Sequence, residues 1–148
     1  MEVKNLFDAE VKAAIIGRID QLSPQTAALW GKMNVAQMLA HCQVPMGVAV
    51  GSHKLKGSFL LRLIGPFFKK LLFNDKPYKK NLGTDKSFII ADERKFEEEK
   101  QKLVDMINRF TIANMVDAPH PFFGKLTKEE WSKGTWKHLD HHLSQFGV

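Results

Sequence analysis

Apolar residues recur every three or four positions in four separate segments of this chain, and that period constrains its fold more than any other feature. In "DAEVKAAIIGRIDQL" the apolar face is Val11, Ile15, Ile19 and Leu22, with Asp8 placed to cap the helix. "NVAQMLAHCQVPMGVAV" opens on Asn34 and Gln37, the spacing of a capping box. Its Pro45 is expected to kink or interrupt it. "DERKFEEEKQKLVDMINRF" aligns Phe96, Leu103, Ile107 and Phe110, and acidic residues crowd its first half as the helix dipole favours. "TKEEWSKGTWKHLDHHLSQF" begins on a second capping box, Thr127 with Glu130. "KSFII" is a candidate short extended piece, but nothing suggests a sheet.

Roughly forty residues separate the second and third segments, too many for a structureless loop in a compact domain. "SFLLRLIGPFFKKLLF" within that stretch is expected to add a helix or two, broken near Gly65 and Pro66. A long crossover at this point lets the second and third helices run parallel. The expectation is an all-α fold: a four-helix bundle with a helical insertion between its second and third helices, in one domain over residues 1–148.

Charge and cysteine content narrow the function classes. The net charge is +6, but the lysines are spread in pairs with no binding motif around them, so a solubilising surface is favoured over nucleic-acid binding. Cys42 is the single cysteine, which excludes an internal disulfide and suits a cytoplasmic setting. No apolar leader opens the chain, and no run of about 18 apolar residues offers stable membrane insertion.

Three of the six histidines fall within "HLDHH" near the C-terminus. On a helical wheel Trp131, Thr135, His142 and Gln145 lie within about 60° of His138. Leu139, Leu143, Phe146 and Trp136 form the next stripe, while Lys133, Lys137, Asp140 and Ser144 take the solvent side. His138 and His142 thus rise one turn apart at the edge of the buried face, as two ligands of one metal ion do. His41, on the inner face of the second helix, is the natural third ligand; His53 and His120 fall in loops and rank below it. A polar, water-filled seam is the alternative reading of the same residues.

The segments "LWGKMNVAQMLAHC", "HPFFGKLTKEEW" and "KHLDHHLSQFG" resemble the DinB/YfiT-like superfamily of metalloenzymes. The nearest match is a branch without assigned activity that carries an H-P-F-F-G segment ahead of a K-H-L-D-H-H-L-x-Q-F-G ending. The resemblance spans nearly the whole chain, although residues 51–91 contribute little. It implies an up-down-down-up four-helix bundle and a divalent metal, zinc or nickel, held by His41, His138 and His142. By analogy with characterised relatives it also implies a small-molecule substrate and a low-molecular-weight thiol as partner.

Three neutral imidazoles leave the charge of such an ion undiminished, so it can activate a thiol for transfer or water for hydrolysis. Gln145 then either hydrogen-bonds a bound water or substrate, or packs against the helix end. His141 is either an outer base and proton shuttle or a partly exposed structural group. Cys42 reads as a small apolar residue pointing away from His41. "HPFFG" reads as a tight turn seating two phenylalanines. Residues 58–73 add core or a homodimer surface, or serve a rival function: a non-catalytic helical module that binds an apolar ligand or a membrane surface.

Overall fold

The computed structural model describes residues 1–55, 63, 65, 67–69, 73–84 and 86–148. Four long helices form the frame: α1 (Ala9–Asp20), α2 (Val35–Ala49), α3 (Phe96–Arg109) and α4 (Lys128–Gln145). Short 3-10 turns occur at Lys86–Phe88 and Ile112–Asn114. The described residues contain no strand, only an isolated bridge between His120 and Gly124. The fold is all-α. No helix among the described residues is long and apolar enough to cross a membrane.

Both capping boxes form. Asn34 Oδ1 accepts the Gln37 backbone N–H at 2.9 Å while Gln37 Oε1 accepts that of Asn34 at 3.1 Å. Thr127 Oγ1 and the Glu130 carboxylate exchange the same pair of bonds at the start of α4. Three details differ from the sequence expectation. Asp8 stands at the cap position of α1 but makes no side-chain capping bond. Of the two outcomes expected at Pro45, interruption does not occur, since α2 continues to Ala49. "KSFII" is not extended at its start, since Lys86–Phe88 turn as a 3-10 helix.

α2 packs against both α3 and α4, and α1 packs against the same two helices. The shared core is built from Ile15, Ile19, Met38, Leu39, Leu103, Ile107, Leu139 and Leu143, all essentially buried. Each such side chain contributes about 1.5–3 kcal/mol of hydrophobic stabilisation. Polar ties add register. Glu99, buried in the α2–α3 contact, accepts from Gln43 at 2.8 Å and from Lys102 at 3.0 Å.

Two side chains assigned to the solvent face of the fourth helix are placed differently. Lys137 is only 1% exposed; its Nζ donates to the Asn74 carbonyl at 2.6 Å and lies 4.5 Å from the centroid of the Tyr78 ring. Asp140 pairs with Arg18 of α1 at 2.7 Å, and the same guanidinium reaches the Val148 carbonyl. The segment around Asn74–Tyr78 lies over a helix face that the wheel leaves open. A lysine tolerates such cover when its stem packs and its ammonium finds carbonyl acceptors.

Most of residues 58–73 lies outside the described residues, so the roles expected for that stretch do too. Of those described, Leu63, Phe67 and Phe68 are exposed, and Phe73 meets Phe123 edge-on at 5.9 Å.

Candidate metal centre

Packing α2 on α4 brings His41 to the pair His138 and His142. One ligand-type nitrogen from each lies within 4.8 Å of the other two. The rings stand 4.9 Å (His41–His138), 4.6 Å (His41–His142) and 4.6 Å (His138–His142) apart by centroids. His41 and His142 are 5% and 8% exposed, so water does little to satisfy them.

Hydrogen bonds fix which nitrogen is bare in two of the three rings. His41 Nδ1 lies 2.8 Å from the Phe88 carbonyl, which accepts only, so Nδ1 carries the proton and Nε2 the lone pair. His142 Nδ1 lies 2.8 Å from Gln145 Oε1, and Gln145 Nε2 donates to the Trp30 carbonyl at 2.6 Å. That second bond orients the carboxamide, so Oε1 must be the acceptor and His142 Nε2 is also bare. His41 Nε2 and His138 Nε2 are 3.0 Å apart, and His138 Nδ1 is buried without a hydrogen-bond partner.

Protons do not neutralise this cluster of lone pairs. Burial is the largest effect on all three imidazoles and pushes each below its ordinary value. For His142 burial, and then the charge His41 would carry, bring the value down to about 3. For His138 the cause is burial, followed by the neighbouring histidines. The group is therefore neutral at pH 7, and the 3.0 Å contact between His41 Nε2 and His138 Nε2 is a hydrogen bond that His138 Nε2–H would donate to the His41 lone pair. A divalent cation in place of that shared proton would take a lone pair from each ring. Two nitrogens each about 2.0–2.1 Å from one tetrahedral ion stand about 3.3 Å apart, a few tenths of an ångström wider than the 3.0 Å between His41 Nε2 and His138 Nε2. On the donor set and its tautomers, these residues fit a metal ion.

His141 is half-buried beside the trio, its ring 5.7 Å from Tyr78, 6.0 Å from Trp30 and 5.1 Å from His142. His53 is exposed. His120 is buried in its own turn. Cys42 is 1% exposed, its Sγ 3.7 Å from Met38 Sδ, and burial pushes its thiol up. Sequence reasoning did not find the Phe88 and Trp30 carbonyls, because any residue can supply a backbone acceptor.

A cavity of about 560 Å³ opens on the trio, within the usual range for small-molecule sites. Its walls are largely apolar and aromatic, with Trp30, Phe88, Phe122 and Trp131 among them. Among the described residues no aspartate or glutamate lines it, and Lys32 is the sole lysine or arginine. Such a cavity suits an uncharged or anionic ligand with a large apolar part.

Gln145 ties the last turn of α4 to the loop before α2, and Gly31 makes room for it. Gly31 has φ +85°, and a Cβ there would collide with Gln145 Nε2. Outer supports of this kind typically govern 10–100-fold in metal affinity. Gln145→Leu, and separately Gly31→Ala, should each weaken zinc binding by about that factor while the helical circular dichroism persists. Competition against a chelating dye would measure it. Unchanged affinity in both variants would show that His142 needs no such support.

The family described as "Protein of unknown function (DUF1569)" has a model that matches residues 3–147 of this chain. Neither a curated protein nor a solved structure gave a match. With nearly its entire length matched, the chain belongs to the DUF1569 family.

Proposed function

We propose that this protein is a divalent-metal-dependent enzyme acting on a small molecule, with His41, His138 and His142 as the ligands of zinc or nickel. The fold we assign is the up-down-down-up four-helix bundle of the DinB-like superfamily, with a helical insertion between α2 and α3. The pairing of α2 with α3 and α4 supports that topology, as does a site shared by the second and last helices. One observation carries the functional reading. Three neutral imidazoles converge at a cavity wall, and two of them have their Nδ1 protons committed elsewhere.

When bound, an ion with three uncharged ligands supplies undiminished Lewis acidity toward a thiol, a water or a carbonyl-class oxygen. The chain's own groups do the rest. The Phe88 carbonyl and Gln145 hold two imidazoles in the ligating tautomer. With a ligand in the cavity, its aromatic walls would keep water from the trio and so strengthen charge interactions inside. His141, half-buried with its ring 5.1 Å from that of His142, is placed to take up a proton. We assign the reaction to thiol transfer, with a low-molecular-weight thiol as co-substrate in the cytoplasm, and hydrolysis as the other outcome of the test.

The test uses zinc- and nickel-loaded protein with glutathione or cysteine and 1-chloro-2,4-dinitrobenzene, and in parallel 4-nitrophenyl acetate. Metal-dependent turnover in one assay, absent in His138→Ala/His142→Ala, is the expected result. Equal turnover in that variant, or none in loaded wild type, contradicts the reading.

A further inference from the structure

The turn His120–Gly124 presents a further imidazole to the same cavity, and its chemistry differs from that of the trio. The turn is closed at both ends: the His120 N–H donates to the Gly124 carbonyl at 2.8 Å and the Gly124 N–H returns a bond at 3.0 Å. Gly124 has φ +72°, a left-handed conformation that glycine adopts at little cost. Inside the turn, His120 Nδ1 accepts the backbone N–H groups of Phe122 and Phe123 at 3.1 and 3.3 Å. A nitrogen that accepts two N–H donors is unprotonated, so the ring proton sits on Nε2.

That proton has no taker. Nε2 makes no hydrogen bond to any described residue, yet it is not among the fully enclosed polar atoms, and His120 as a whole keeps only 6% of its surface. Its residual opening is therefore a narrow one, on a residue that lines the cavity. The ring cannot turn away. It stacks on Phe123 at 4.5 Å and 25°, and lies 5.2 Å from Trp131 and 5.6 Å from Phe122. A ligand oxygen that reaches this donor gains a hydrogen bond in a largely apolar wall, where little water competes for it.

We infer that His120 is a ligand-binding residue whose Nε2–H donates to an acceptor oxygen of a largely aromatic or aliphatic, uncharged or anionic molecule in this cavity. The assignment rests on the proposed function only in taking this cavity as the substrate's. Burial also lowers the imidazole to about 4, so at neutral pH the donor is an uncharged ring that binds an acceptor without forming an ion pair. A carbonyl-class oxygen fits both this donor and a Lewis-acidic centre.

The probes are 2-acetylnaphthalene and 2-isopropenylnaphthalene, nearly the same shape but differing by C=O against C=CH₂. Trp30 and Trp131 line the cavity, so quenching of tryptophan fluorescence reports binding to the protein as purified. The variant is His120→Asn, whose carboxamide oxygen can accept the same two backbone N–H groups in an Asx-type turn while its own donor falls short of the Nε2 position. The ratio of ketone to hydrocarbon affinity is expected to fall about tenfold in the variant, with hydrocarbon affinity little changed.

An unchanged ratio overturns the proposal, and so does the absence of binding by either probe to wild type. Should the variant fail to fold, long-range ¹H–¹⁵N spectra of wild type decide. The His120 ring must be protonated at Nε2 and shift with the ketone but not the hydrocarbon; protonation at Nδ1 or no selective shift refutes it. Metal content read on the same samples keeps the two proposals separable, because the affinity ratio cancels any contact that both proteins make with an ion.

Discussion

Replacing His138 and His142 together with alanine is expected to abolish the rise in melting temperature that zinc or nickel gives the wild-type protein. A ligand at a hundredfold excess over its dissociation constant stabilises the folded state by about 2.7 kcal/mol. For a domain of this size that is a rise of about 8 °C. The double variant should retain its helical signal, because the core beneath α4 rests on Leu139 and Leu143, which the substitutions leave in place. Metal-dependent stabilisation surviving in the variant would move the site elsewhere in the chain.

Acid should destabilise the metal-free protein steeply. His120 and His142 are neutral in the folded chain, with values lowered by burial to about 4 and about 3. In the unfolded chain both titrate near 6.5. Below that pH the unfolded chain therefore binds protons that the folded chain refuses, so stability falls as pH falls. The contribution is fully present above pH 6.5 and is lost progressively down to about 4 for His120 and about 3 for His142. Between pH 6.5 and 5 each group removes about 2 kcal/mol at the full linkage slope. His41 and His138 act in the same direction. Urea denaturation of chelator-treated protein at pH 7.5 and pH 5 should show a clear fall in midpoint, smaller in the double variant. A midpoint that does not move would mean that these imidazoles are already charged in the folded chain.

The helices were the most legible part of the fold, because capping and apolar periodicity are local properties. Asn34 with Gln37, and Thr127 with Glu130, close the expected boxes. Buried positions such as Ile19, Leu103 and Leu139 fall on the expected stripes. The burial of Lys137 was not legible. It depends on the Asn74–Tyr78 segment lying over α4, a contact more than fifty residues away in sequence.

At the site, the histidine spacing placed His138 and His142 on one face, and the inner face of the second helix placed His41 opposite them. The groups that orient them were hidden. The Phe88 and Trp30 contributions are backbone carbonyls, and the bond from Gln145 to Trp30 spans nearly the whole chain. His120 was ranked low for lying in a loop, and as a metal ligand it does stand apart from the trio. What a loop position could not reveal is that the turn's own N–H groups occupy Nδ1 and leave Nε2 as the free donor.

Elemental analysis by plasma mass spectrometry on untagged protein reads out directly whether the chain holds a metal ion. A histidine tag would itself bind metal, so it must be removed, and the His138→Ala/His142→Ala variant should be measured alongside. Close to one zinc or nickel per chain is expected in the wild type and almost none in the folded variant. No metal in the wild type, even after incubation with either ion, would contradict the proposed metal site.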